Sequence, residues 1–322
     1  MISHRRITIT YFSLFLTAPL FIGACGKSDP PPSVKQEEQK LSPEKGLAVP
    51  QKKIKQGDAE MQYKLSLQYF TGEGVPKDIA KAVEWCEKAA AQGYAQAQYS
   101  LGVFYATGEG VPKDAVKAVE WYRKAAAQGY APAQSNLGAK YSKGEGVPKD
   151  ATKAAEWYEK AAAQGYAIAQ HNLGVMYNMG EGVPKDATKA VAWYEKAAAQ
   201  GYAMAQCNLG VMYDSGEGVR KDPAKAVDWY QKAAAQGYGR AQGNLGYMYS
   251  KGEGITKDKV LAYAWSNLAG IGNDVAAQNR DLLEAQLSSA EKSEAQRLSS
   301  GWIKGQLLAR EAKVAGAALS KR

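Results

Sequence analysis

The stretch Ala95–Tyr130, A-Q-A-Q-Y-S-L-G-V-F-Y-A-T-G-E-G-V-P-K-D-A-V-K-A-V-E-W-Y-R-K-A-A-A-Q-G-Y, returns with small changes along the chain. Its Trp121 belongs to a series with Trp85, Trp157, Trp193, Trp229 and Trp265, spaced 36 residues apart and comprising all but one of the tryptophans. Tyr94, Tyr130, Tyr166, Tyr202 and Tyr238 keep the same period, as do five copies of A-A-A-Q-G. Units of this kind tile positions 56–271. A fixed period of this size predicts a stacked solenoid, in which each unit buries its apolar face only against its neighbours. The expected fold is all-α, with about six helix–turn–helix units followed by a helical C-terminal cap.

Within the quoted unit, Ala97, Leu101, Gly102 and Tyr105 form one stripe of a first helix over about Ala95–Ala106. The string Thr107–Lys113 is a turn. Its glycines permit positive φ, and Pro112 cannot continue a helix. Asp114 is placed to cap a second helix over about Ala115–Gln128. Pro223 after Asp222 sits at the favoured first helical position. Gly102, Ala118 and Ala125 let backbones approach, while Leu101, Tyr105 and Trp121 are expected to fill the space between layers. The sixth unit keeps Trp265 but has Ser266 where the other units have a tyrosine or Cys86. Beyond it, a helix over about Val275–Gln286 is expected, then a capping box of Ser288 with Glu291. A last helix is expected to carry Leu298, Trp302 and Ile303 on its apolar side.

The N-terminus reads as an address. Met1–Arg6 is basic and Ile7–Phe21 apolar but too short for a comfortable spanning helix. Ile22-Gly23-Ala24-Cys25 follows and resembles the bacterial lipobox, which implies acylation of Cys25. Gly26 is not the Asp that would resemble an inner-membrane retention signal, which favours the outer membrane. The expected division is a signal peptide over 1–24, a Pro-rich tether over 25–52, repeats over 53–271, and a cap with a basic tail over 272–322. A flexible tether of about 25 residues spans roughly 25–30 Å. The whole chain carries a net charge of +9. Without Arg5 and Arg6, 39 basic residues face 32 acidic ones, about +7. Most lysines stand at fixed repeat positions such as Lys77, Lys113, Lys149 and Lys185, which reads as a solvated surface. No nucleic-acid motif appears. Cys86 and Cys207 fall in distant units, so they are expected to be buried small residues and not a disulfide.

The pattern A-x-x-x-L-G-x-x-Y, G-E-G-V-P-K-D and A-x-x-W-Y-x-K-A-A-A-Q-G resembles the Sel-1-like repeat family, relatives of tetratricopeptide repeats. The resemblance covers 56–271. It implies a right-handed α-solenoid that binds proteins or peptides, often exported and linked to envelope or host interactions. Some exported relatives carry a Cys pair in each repeat and have been called β-lactamases. This chain lacks those pairs.

Three columns on the first helix vary between units while Gln98 and Tyr105 recur in all six and Ala97 in five, the first unit having Met61. The first column runs Glu60, Gln96, Pro132, Ile168, Met204, Arg240. The second runs Tyr63, Tyr99, Ser135, His171, Cys207, Gly243, and the third Leu67, Val103, Ala139, Val175, Val211, Tyr247. Their i, i+3, i+7 spacing puts them on one face, which resembles the concave groove of tetratricopeptide repeats. Beside it runs a ladder of Asn136, Asn172, Asn208 and Asn244. Asn can donate to and accept from a peptide backbone. The candidate partner-binding residues are therefore Gln96, Tyr99, Ile168, His171, Met204, Arg240 and Tyr247 with those four asparagines. The alternative is that the asparagines tie adjacent repeats together.

Catalytic readings are weak. His171 is the lone histidine after the signal segment, so a metal site or a histidine triad lacks its residues. Glu84, Glu120, Glu156 and Asp228 recur a layer apart, and read as a solvated helix face. Ser42–Lys45 and Ser289–Lys292 match S-x-x-K, but the S-D-N and K-T-G elements that penicillin-interacting enzymes need are missing. The sequence points to a non-enzymatic protein-interaction scaffold of the cell envelope. It is held to the membrane only by a lipid anchor, with a protein or peptide partner and no cofactor, metal or nucleic acid. A secreted or surface-exposed host-interaction factor is the alternative, and an envelope hydrolase is disfavoured.

Overall fold

A computed structural model describes residues 58–270 and 274–310. The signal segment, Cys25, the tether and the basic tail lie outside these residues. Six helix pairs follow the repeat: α1 (Ala59–Thr71) with α2 (Ile79–Ala91), α3 (Ala95–Thr107) with α4 (Ala115–Ala127), and α5 (Ala131–Lys143) with α6 (Ala151–Ala163). Then come α7 (Ala167–Met179) with α8 (Ala187–Ala199), α9 (Ala203–Ser215) with α10 (Pro223–Ala235), and α11 (Gly239–Lys251) with α12 (Lys259–Leu268). Two further helices, α13 (Asp274–Glu284) and α14 (Ser289–Ser300), pack on α12. Among the described residues there is no strand. The fold is an all-α solenoid with a helical C-terminal cap.

Local chemistry sets every boundary. Asp78, Asp114, Asp150, Asp186, Asp222 and Asp258 each cap a second helix, accepting from the backbone N–H groups of its first turn. The first helices end on left-handed glycines such as Gly108 at φ 82°. Gly146 serves a second purpose. A β-carbon there would occupy the place of the Ala115 carbonyl, so the loop of one unit can lie on the N-terminus of the preceding second helix.

The core is built from Leu65, Leu101, Leu137, Leu173, Leu209 and Leu245, all essentially inaccessible. Tyr122, Tyr158, Tyr194 and Tyr230 are buried against them. Each ring covers a glycine of its own unit's first helix. A β-carbon on Gly102 would stand 2.6 Å from the Tyr122 ring. Fully burying such a side chain contributes about 2–3 kcal/mol. The recurrent tryptophans are shallower than expected. Trp85, Trp121, Trp157, Trp193 and Trp229 are half-buried. Trp121 lies on the cluster formed by α1–α3, and the lysine three residues on covers its outer face with Nζ 3.8 Å from the ring centroid. The buried aromatic is the adjacent tyrosine, because it faces the partner helix while the tryptophan covers the joint between units.

The sixth unit inverts this. Ser266 stands where Tyr230 stands in the unit before, and it accepts a hydrogen bond from Asn279 of α13 at 2.8 Å. Removing the tyrosine ring lets α13 approach, and Trp265 becomes fully buried. The capping box of α14 is present, with the Glu291 N–H donating to Ser288 Oγ and the Ser288 N–H to Glu291 Oε2. The last helix departs from expectation, because Gly301 ends it before Trp302. Leu298 and Trp302 still pack on the last cluster, whereas Ile303 is exposed. The segment after it is tied back by the Gly305 N–H to the Ala235 carbonyl at 2.7 Å.

Candidate protein-interaction face

Two seams join each unit to the next, and they are built differently. The first runs through glutamine. Gln98 is buried and donates to the Ala90 carbonyl at 3.2 Å, reaching the preceding second helix. Its Oε1 accepts from Gln128, the residue that ends its own second helix, at 2.8 Å. The same amide pair recurs as Gln164 to Gln134, Gln200 to Gln170 and Gln236 to Gln206. Sequence reasoning marked Gln98 as invariant and gave it no role. Its signal was a second recurrent amide, the Gln of the five A-A-A-Q-G copies, 30 residues downstream.

The second seam lies between neighbouring first helices and carries the candidate residues. The second variable column is interior: Tyr99 is 2% exposed and His171 7%. Both therefore offer a partner little surface. Their contacts run to the asparagine ladder of the next unit. Asn136 Nδ2 lies 3.5 Å from the Tyr99 hydroxyl, Asn208 Nδ2 3.1 Å from His171 Nε2, and Asn244 Nδ2 3.9 Å from Cys207 Sγ. Asn136, Asn172 and Asn208 also act on the buried tyrosines of the preceding second helix, Tyr122, Tyr158 and Tyr194, opposing the rise that burial gives their hydroxyl pKa values. The ladder thus joins adjacent repeats, and its amides remain half-buried at the surface.

His171 is held on both nitrogens, with Asn172 Oδ1 3.1 Å from Nδ1 and Asn208 on Nε2. These partners fit the neutral ring, its Nδ1–H donating and its Nε2 accepting. Burial lowers its pKa to about 4, and the Arg240 charge acts in the same direction. Burial pushes the thiols of Cys86 and Cys207 up to about 12, so both are held protonated.

The flanking columns stay accessible. Gln96, Ile168, Met204, Val175, Val211 and Tyr247 are half-exposed, and Arg240 is exposed. The Glu84, Glu120, Glu156 and Asp228 series is solvent-exposed on the second helices, and Glu84 pairs with Lys88 at 2.6 Å. Ser289 is exposed, and Lys292 is engaged by Glu284 at 3.2 Å. Among the described residues no cluster of three or more His, Cys, Asp or Glu is arranged to hold a metal ion. None of their helices is long and apolar enough to cross a membrane.

The Sel1 repeat family model matches residues 59–94, 95–130, 131–166, 167–202, 203–238 and 239–274, and the chain belongs to that family. Each match begins at a first helix, so its boundaries fall three residues later than the 56–271 tiling. A Sel1 repeat protein from Oxalobacter formigenes is 40% identical with a TM-score of 0.64 over 71% of this chain and 66% of that one. A protective antigen of uropathogenic Escherichia coli strains with an SLR fold is 28% identical, with a TM-score of 0.34 over 76% of this chain and 84% of that one. A putative Sel1 repeat protein from Klebsiella pneumoniae subsp. pneumoniae is 26% identical, with a TM-score of 0.43 over 63% and 99%. No curated protein matches the chain. Proteins of this repeat family are in general protein–protein interaction scaffolds and typically not enzymes.

Proposed function

We propose that the chain is a lipid-anchored, non-enzymatic scaffold of the bacterial cell envelope. It binds a peptide or protein segment along the face formed by its first helices. The observation that carries this reading is the contrast across that face. The columns of Ile168 and Val175 vary freely and stay half-exposed. The Gln98, Leu101 and Tyr122 positions behind them are buried, and Gln98 recurs in every unit. Stack residues cannot vary without costing several kcal/mol, whereas surface residues can. The lipobox-like Ile22–Cys25 string supports the address, with attachment at the outer membrane facing the periplasm.

A photoreactive amino acid placed at Val175 or Val211 should give a discrete adduct in intact cells, and one at Glu156 should not. Equal labelling from both positions would refute the face. Replacing Cys25 with Ser should release the chain from the membrane fraction. Unchanged fractionation and processing would remove the anchor. Protease shaving of intact cells separates a periplasmic orientation from a surface one, and only the latter leaves the chain cleavable.

A further inference from the structure

The residues left open on the first helices are not chemically uniform along the array. In units two to six, the positions at i, i+4, i+7 and i+11 of the first helix carry no Asp or Glu. Over units four and five they are largely apolar: Ile168, Val175, Met179, Met204 and Val211, with Met179 44% exposed. At the sixth unit the same positions turn basic, with Arg240 and Lys251 beside Tyr247, whereas the other cation among them, Lys143 of unit three, is paired with Glu145 at 3.7 Å.

These two cations are available. Arg240 and Lys251 form no ion pair among the described residues, and Lys251 Nζ stands 5.6 Å from the Tyr247 ring centroid. Arg240 is exposed and stands at the register of Ile168 and Met204, and its charge acts on His171, Cys207 and Tyr230. Asp214, three residues beyond Val211, is half-buried, and the charges of Lys221 and Glu253 act on it. At the opposite end, Glu60 and Lys64 neutralise each other at 2.8 Å.

We propose that this face takes an extended apolar segment of a partner protein that bears carboxylate side chains just beyond its apolar run, seated against Arg240 and Lys251. The proposal rests on the reading of the first-helix face as the binding surface, and adds the chemistry of what binds. Side-chain contacts such as Asn208 to His171 show that successive first helices are neighbours. Packed helices lie about 8–10 Å apart. An extended chain rises about 3.3 Å per residue, so it crosses one repeat in about three residues. The partner should place an apolar side chain at roughly every third position over units four and five. An Asp or Glu should follow about three residues on. A purely apolar segment would leave the guanidinium unpaired, and a basic one would be repelled by it.

Panning a random dodecapeptide library against the purified full-length chain tests this. Enriched peptides should show apolar residues at about three-residue intervals followed by Asp or Glu. Their binding should be lost in Val175→Arg and in Val211→Arg. Arg240→Glu should weaken it about tenfold, and all three variants should keep the wild-type helical signal and melting. If enriched peptides still bind Val175→Arg and Val211→Arg, the face itself is wrong. If those variants abolish binding but the peptides show no acidic preference, or Arg240→Glu leaves affinity unchanged, this inference falls and the face stands. If no peptide is enriched, both fall.

Discussion

The two seams of this solenoid solve one problem in opposite ways. On the glutamine seam, Gln98 and Gln128 are repeated almost without change, since a buried amide needs all its partners at set positions. On the asparagine seam the partner differs at each joint: a tyrosine hydroxyl for Asn136, an imidazole for Asn208, a thiol for Asn244. A half-exposed amide can be satisfied by several chemistries and by water, so identity there is not enforced. The difference teaches that the invariant seam holds the repeat together, while the variable one gives each unit its own character.

The largest effect should come from the core that both seams share. Tyr194→Ala removes a ring buried over Gly174 and should cost about 3–5 kcal/mol, read as a lower urea midpoint. Trp193→Ala should cost less, since Trp193 is half-buried and covered on its outer face by Lys196. An equal or greater loss from Trp193→Ala would reverse the assignment of depth.

Acid should strike the asparagine seam at one joint. The folded-state pKa of His171 is lowered to about 4, below its ordinary 6.5. Above the unfolded value both states are neutral and nothing is lost. As pH falls through about 6.5 toward 4, the unfolded chain binds a proton that the folded chain refuses, and stability drops by up to about 3 kcal/mol. Comparing urea midpoints of wild type and His171→Gln at pH 7.5 and 4.5 isolates this loss from carboxylate titration. A wild-type pH dependence matched by the variant would show that the imidazole is not held neutral.

The glutamine seam should be the more costly of the two to cut by a single amide. Gln170→Ala removes a buried amide that donates to the Ala162 carbonyl and accepts from Gln200, a loss of about 1–3 kcal/mol. Asn208→Ala should cost about 1 kcal/mol or less, because water can replace its half-exposed amide. In the binding reading, Asn244→Ala, whose amide has a long 3.9 Å contact with Cys207 Sγ to lose, should weaken partner affinity while the melting temperature moves little. Collapse of that variant would show that the ladder is purely structural.

Much of the interior could be read in one dimension. The caps at Asp114 and Gly108, and the capping box at Ser288, are local chemistry, and they fall where the residues place them. The face was half legible. Variability located Ile168 and Val175 correctly at the surface, but it placed Tyr99 and His171 there as well. A variable position is exposed only if neighbouring helices leave it so, and a seam between two first helices can accommodate Tyr, Ser, His, Cys or Gly by local repacking.

By itself the sequence determined the repeat, its helices and turns, and the acid-free stripe that ends in Arg240 and Lys251, because each is a property of period, capping or charge along one chain. Only the tertiary structure decided that Tyr194 lies deeper than Trp193, that Trp265 is sealed within the last cluster, and that His171 is sandwiched between units. Those depths are set by how adjacent helices are rotated and how closely they approach. Spacing along one helix specifies which residues share a face, and not which neighbour covers them.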